Sequence, residues 1–450
     1  MNIKIILLLF ALLTPVNALI IPYSLISIEN GFIIAGSTSW DYSRENESKV
    51  QALIVKISPN GDIIWNKTYG YATAAYVIVK LEEGYGVGGV MNGDAWIMKI
   101  DEEGNILWQK TYGCRDVQDS AVSVVADGKD IVALITVTSC DVSNRDVWVL
   151  RFDREGNEIW RKVFDFGRYD SIKMAKKTRD GGLIAVGAVS EDLVKLNYDI
   201  WVLKLDAQGN EEWSKFFDFG FQEVAWDVAE LENGYAVVGG SWIMVSIISC
   251  KQCNQYSTGD NFTSLARGFV LKLDLDGNLN ESKFLEFGLI SSAWSVETIN
   301  GKIVIAGLGV NSTSAYLWIS TPTEVIAIHG GDFNIIPVIY GVARLIGTED
   351  GYLMTASGCN GSCLWTGKFD FDGKLMWKIE YRFDDNRTEN NIISPVQSET
   401  EQKWQTSEIN MNLSSDGEKN VINRNIDPFL LYATILLILA LILVYVISRF

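Results

Sequence analysis

Carboxylates and aromatics recur just ahead of several strand-like runs: Asp116 and Asp119, Tyr169 and Asp170, Glu223 with Trp226 and Asp227, and Trp294. A carboxylate accepts hydrogen bonds from sugar hydroxyls and peptide amines and ligates hard cations, while an aromatic face covers an apolar ring. This set is the candidate ligand site; turn caps and packing residues are the competing reading. Asp274-Leu-Asp276-Gly-Asn278 has the acidity of a calcium loop but not the spacing or terminal Glu of an EF-hand, so it reads as a turn. Cys250-Lys-Gln-Cys253 has redox or zinc spacing. Zinc would want more thiolates or histidines, and the chain has one His, His329. A redox role would want a helix N-terminus in a thioredoxin-like unit, which the sequence lacks. A structural disulfide is the better reading. One His also leaves little for acid–base work. No catalytic residue is assigned and no cofactor is expected, a structural calcium being the one ion these acids would suit.

The elements that must hold these residues repeat. ALIVKISPNGDIIWNKTYG starts at Ala52, AWIMKIDEEGNILWQKTYG at Ala95, VWVLRFDREGNEIWRKVFDFG at Val147 and IWVLKLDAQGNEEWSKFFDFG at Ile200. Further copies start at Gly268 and Leu364, and a decayed one at Ala315. A second unit of the type GYxVxG precedes each, so both counts give seven. Asp-x-x-Gly-Asn between two runs rich in Ile, Val, Trp and Tyr predicts a hairpin, its Gly in the left-handed region and its Asp bonding the turn backbone. Each unit thus carries four antiparallel strands, A to D. Seven in a row predict an all-β, seven-bladed β-propeller over residues 19–383. Trp96, Trp148, Trp201 and Trp365 on strand C, and Trp65, Trp108, Trp160, Trp213 and Trp377 on strand D, are expected between blades. Glu281 stands where blade 5 should have its Trp, and blade 6 has lost its C–D turn.

The string GGYxVxG…DxWVxKxDxxGNxxWxKxYG resembles secreted archaeal and bacterial propeller-repeat proteins. It is distantly similar to the propellers of quinoprotein dehydrogenases, where a Gly and then a Trp on the outer strand dock neighbouring blades, and its turn is similar to the Asp-box of sialidases. The resemblance implies the fold across residues 23–383 and little about activity.

Consecutive strands alternate direction, so A–B and C–D turns share one face, and B–C loops share the other with the D–A crossings. The first set is uniformly tight. The second varies, with long B–C loops in blades 1, 4 and 5. Variable loops on a rigid scaffold are where binding resides, so the B–C/D–A face is the expected binding face. The cysteines fall there too, and the expected disulfides are Cys114–Cys140, Cys250–Cys253 and Cys359–Cys363. Eight sequons begin at Asn46, Asn66, Asn261, Asn280, Asn311, Asn360, Asn386 and Asn412. Four lie in loops of that face, two on outer strands and two beyond the repeats.

The two ends supply an address. Residues 1–18 carry Lys4, an apolar run and Val16-x-Ala18, the order of a cleavable signal peptide. Residues 429–448 form an uncharged apolar run long enough to cross a bilayer, preceded by Asp427 and Pro428 and followed by a tail at 449–450 with Arg449. A stalk rich in Asn, Ser and Glu at 384–428 would lift the ring off the surface. The expectation is a single-pass cell-membrane protein with an extracellular ectodomain and a cytoplasmic C-terminus. A formal charge of −18 argues against nucleic acid as a partner. The first functional reading is a binding, adhesion or scaffold module that takes a protein or glycan at the cell surface. The alternative is an extracellular enzyme at the channel mouth, either a glycan hydrolase or lyase or a quinoprotein-like oxidoreductase.

Overall fold

The computed structural model describes residues 20–38, 50–113, 119–138, 144–166, 169–190, 198–242, 266–287, 290–310, 315–322, 325–330, 343–358, 363–383 and 393–395. The expected signal peptide, membrane span and tail lie outside them. Seven antiparallel meanders form the blades of a propeller, those of blades 5 and 6 joined in one eight-stranded sheet. Their innermost A strands are Ile21–Ile28, Thr73–Lys80, Ser120–Asp127, Tyr169–Lys177, Gln222–Leu231, Ile290–Ile299 and Ala343–Thr348. Their outermost D strands are Ile63–Tyr69, Ile106–Tyr112, Glu158–Phe164, Glu211–Phe217, Leu279–Leu285, Val325–Gly330 and Leu375–Phe383. B and C lie between, and each blade is a simple meander.

Blade 6 keeps its fourth strand despite losing the turn motif, because Ala315–Ser320 and Val325–Gly330 still pair. Blade 7 gains a fifth: Ile393–Pro395, within the stretch expected as a stalk, pairs antiparallel with Tyr381–Phe383. Blades 5 and 6 also share a parallel bridge, Ala266 to Ile290.

The packing explains the composition. The B strand Gly31–Ser37 is buried along its whole length, whereas the D strand Ile106–Tyr112 is largely exposed or half-buried. Middle strands are covered on both faces by neighbouring blades, so they read as continuous apolar runs. The apolar core is accordingly layered between blades rather than gathered in one mass. Ile33, Ala35 and Ile54 of blade 1 pack on Tyr85, Trp96 and Met98 of blade 2. Leu353, Leu364 and Tyr381 of blade 7 pack on Ile34, Leu53 and Val55 of blade 1 and close the ring without a borrowed strand. Trp96 and Trp201 are fully buried, Trp365 nearly so, and Trp318 takes the same place in blade 6.

The outer edge is held by a repeated dock. In the C–D turn of blade 2, Asp101 Oδ1 accepts from the N–H groups of Glu103 and Asn105 (3.0 and 2.7 Å), and Oδ2 accepts from Asn105 Nδ2 (2.8 Å). The turns at Asp153 and Asp206 repeat this pattern. Those bonds hold Asp153 and Asp206 below the ordinary carboxylate range. The turn at Asp274 is bonded the same way through Asn278. Onto each fixed turn leans the D-strand Trp of the preceding blade. Trp65 Nε1 donates to Glu102 O (3.1 Å), Trp108 Nε1 to Arg154 O (3.0 Å) and Trp213 Nε1 to Leu275 O (3.0 Å). Trp160 lies over Gly209, and Trp377 beside Gly61.

Gly156 shows why the turn needs glycine. Its φ is +83°, and a Cβ there would sit 2.7 Å from the Trp108 ring. Gly156→Ala is therefore expected to cost about 2–4 kcal/mol, combining the left-handed backbone and the overpacking. Gly220→Ala (φ +84°, nothing within 4 Å) is expected to cost only about 1 kcal/mol. Denaturant midpoints of the two variants, compared with the parent, check this; equal losses would remove the docking account.

Candidate functional site

The residues grouped by the sequence separate into two layers, because they sit at different heights on the innermost strands. Glu223 precedes Trp226 by three residues, about 10 Å along a strand.

The deeper layer encircles the axis. Six A strands carry a β-bulge at one equivalent position, and the extra residue is Tyr23, Tyr76, Val122, Lys173, Trp226 or Trp294. A bulge re-aims a side chain, and here the re-aimed groups meet across blade junctions. Tyr23 and Tyr76 contact edge to face at 4.9 Å, and Trp226 stacks on Trp294 at 4.6 Å. Lys173 Nζ lies 5.7 Å from the Trp226 ring, and burial pushes its ammonium pKa down. Arg344 of blade 7 donates to Tyr23 O (2.7 Å) and Trp294 O (2.6 Å), tying blades 1, 6 and 7. The indole N–H groups of Trp226 and Trp294 are buried with no hydrogen-bond partner. Asp227 is buried against the next blade. Its Oδ1 lies 3.1 Å from Lys176 Nζ, and its Oδ2 accepts from Val296 N (3.0 Å). Lys176 also meets Glu297 (3.0 Å) and Val296 O (3.2 Å), so blades 4, 5 and 6 are bridged. Burial opposes that charge, but the two carboxylates outweigh it and hold the Lys176 pKa above its ordinary value.

The upper layer lies at the D–A crossings. Asp116 falls outside the described residues. Asp119 is buried, and its Oδ1 accepts from Thr138 N (2.5 Å). Asp170 Oδ2 accepts from Phe166 N (2.7 Å), and Glu223 Oε1 accepts from Phe221 N (3.1 Å) and Ser241 Oγ (3.4 Å). Tyr169 does not join the acids. Its hydroxyl accepts from Arg145 Nη1 (2.9 Å), and its ring packs on Tyr198.

Two further acids join Asp170 and two join Glu223. Asp146, Asp165 and Asp170 gather at the junction of blades 3 and 4, and Asp199, Asp218 and Glu223 at that of blades 4 and 5. In each triad one carboxylate oxygen per residue lies within 4.8 Å of the others. Burial, with Asp165 beside it, raises the pKa of Asp146. Burial first, and then Asp218 and Asp199, push Glu223 from its ordinary 4.5 up to about 7. The signal for the missed acids was in the repeat: Asp146 and Asp199 are the first residue of the DxWVxK string.

Cys363 is the one described cysteine; it is buried and disulfide-bonded, with its partner sulfur outside the described residues. The remaining expected bridges, the loops of residues 39–49 and 243–265, and the sequons at Asn46, Asn261, Asn311, Asn360, Asn386 and Asn412 also lie outside. Asn280 is exposed on its strand. Asn66 is 1% exposed, and a buried amide gives a glycan no path outward, so that sequon is withdrawn.

No protein-family model matches the chain, and no curated protein matches it. Solved structures are similar at low identity. A protein of unknown function from Bacteroides caccae aligns over 70% of this chain and 98% of its own, at 14% identity and TM-score 0.39. The β-propeller domain of the trilobed protease from Pyrococcus furiosus covers 77% and 93%, at 11% identity and TM-score 0.42. A mutant of the Synechocystis apocarotenoid oxygenase covers 81% and 93%, at 8% identity and TM-score 0.47. At these values no residue role passes to this chain.

The pKa of Glu223 sets a pH dependence. Between about 4.5 and about 7 the folded chain holds a proton that the unfolded chain releases, so this group's contribution to stability falls as pH rises through that window. The full effect is on the order of 3 kcal/mol. In chelator, the melting temperature of Glu223→Gln relative to the parent is expected to rise from pH 5 to pH 7. A pH-independent difference would contradict the assignment. What the coordinates establish is an all-β, seven-bladed propeller of repeated blades.

Proposed function

We propose that this protein is a membrane-anchored extracellular propeller that works as a binding, adhesion or scaffold module. It would engage a protein or glycan at the cell surface through its B–C/D–A face. One observation carries the reading: the two faces are built to opposite rules. On one, the C–D turns are closed by their own Asp side chains. On the other, B–C connections range from residues 92–93 in blade 2 to residues 243–265 in blade 5. Variable connections on a rigid frame provide recognition surface. The signal-like N-terminus, the apolar C-terminal run, the remaining sequons and the acidic composition support an extracellular address.

The enzymatic reading ranks second. Glu223 has the pKa most suited to proton transfer, yet its side chain is fully buried. The triad oxygens lie closer together than the ~5 Å or more that separates the carboxyl groups of glycoside hydrolases.

The test uses the full-length protein in detergent on glycan and peptide arrays. One variant has residues 243–265 replaced by the Asn-Gly turn that joins Met91 to Asp94. The parent is expected to select a defined ligand set, and the shortened variant to lose at least about tenfold in affinity with its melting temperature unchanged. Turnover of an array sugar, or no selective binding by the parent, would overturn the proposal.

A further inference from the structure

The acidic triad at the junction of blades 4 and 5 has an unusual balance. Glu223 is fully buried, and its Oε2 has no hydrogen-bond partner. The donors that reach this side chain, Phe221 N and Ser241 Oγ, both serve Oε1. Oε2 therefore carries the full desolvation penalty of an anionic acceptor, a few kcal/mol when nothing answers it. Asp199 and Asp218 add like charge within 4.8 Å. Neither Glu223 nor Asp218 forms an ion pair among the described residues. Three converging carboxylates, one buried and one reaching solvent through the exposed Asp218, make a hard oxygen donor set.

Equivalent positions at the other junctions show how the same place is satisfied elsewhere. Between blades 5 and 6 they hold Arg267, Glu286 and Ser291. There a guanidinium is built in, with Arg267 Nη1 3.7 Å from Glu286, and Ser291 Oγ accepts from Gly268 N (3.1 Å). Between blades 1 and 2 they hold Gln51, Gly70 and Thr73, with no charge, and Gln51 Nε2 donates to Gly70 O (3.0 Å). Between blades 2 and 3 they hold Asp94, Gly113 and Asp119. A Cβ on Gly113 would lie 2.6 Å from Asp94 and 2.5 Å from Asp119, so the third side chain is missing from an otherwise similar cup. Among the described residues, full triads occur at the two middle junctions, where Asp146 and Asp199 stand in the Arg267 position.

We propose that Asp199, Asp218 and Glu223 bind a divalent cation of the calcium class. The ion would join strand C and the end of strand D in one blade to strand A of the next. It would thereby brace the D–A crossings of the face that carries the long loops.

The test uses the full-length protein in detergent, stripped with chelator and titrated with Ca2+, and separately with Tb3+ read by luminescence sensitised through the protein's aromatic residues. The parent is expected to melt higher in Ca2+ than in chelator and to bind at least one tight equivalent. Glu223→Gln should weaken that binding at least about tenfold, while melting no lower than the parent in chelator because the amide keeps the shape of the carboxyl without its charge repulsion. If Glu223→Gln does not fold, the exposed Asp218→Asn takes its place. A parent with no calcium-dependent melting and no saturable Tb3+ signal would overturn the proposal, as would a Glu223→Gln variant that binds as tightly as the parent.

Discussion

Everything else in this ring depends on the indole that leans on a glycine turn. A blade is a small sheet with unpaired backbone at its outer edge, and it must join its neighbour without adding a strand. The D-strand Trp does this by laying a large apolar face on the next blade while its N–H donates to a turn carbonyl, as Trp65, Trp108 and Trp213 do. The turn can receive it because Asp side-chain bonds fix its shape and because glycine leaves no Cβ in the way. Between blades 6 and 7 the Asp370 turn is kept although strand Val325–Gly330 has no Trp, and between blades 5 and 6 both halves are gone: Glu281 replaces the Trp of blade 5, and blade 6 lacks the turn that would have received it. That junction is held instead by the bridge from Ala266 to Ile290 and by Trp318 packed on Phe287 at 4.4 Å. Glu281 is turned back onto its own blade, 2.6 Å from Lys272.

A rim fixed in this way leaves the inner strands to carry the polar chemistry. Hydroxyls and carboxylates on A strands bond the backbone of the adjoining blade: Ser123 to Ala175, Asp227 to Val296, Ser295 to Leu345. Bulges turn aromatic and basic side chains toward the axis, where Lys176 and Arg344 each tie three blades. One step toward the loop face, the crossings gather acids. The two ends of the ring thus differ in kind: one is sealed by turns that satisfy themselves, and the other concentrates charge under the connections that vary.

The repeat made the fold legible because a four-stranded unit writes its own punctuation. Asp-x-x-Gly-Asn marks the hairpin, Trp marks the dock and GYxVxG marks the covered strand. Trp226 and Trp294 are legible in the sequence as recurring aromatics, and Asp119, Asp170 and Glu223 as a recurring acid. Their partners were harder to see. Lys173, Tyr23 and Tyr76 enter the axial ring through bulges, and a bulge shifts a side chain by one place without a distinctive residue to announce it. Asp146 and Asp199 stood in the repeat string but read as strand starts, and Asn66 read as a surface sequon until its strand was packed.

Residue types and spacing alone determined the number of blades, the strand order within each and the face on which the loops vary, because these follow from local periodicity and turn chemistry. Only the tertiary structure decided which acids converge. Asp199, Asp218 and Glu223 come from three strands of two blades, and the distance between their oxygens is set by how one blade rotates against the next. Burial was decided at the same level, since a carboxylate loses its water only when a neighbouring blade arrives to cover it.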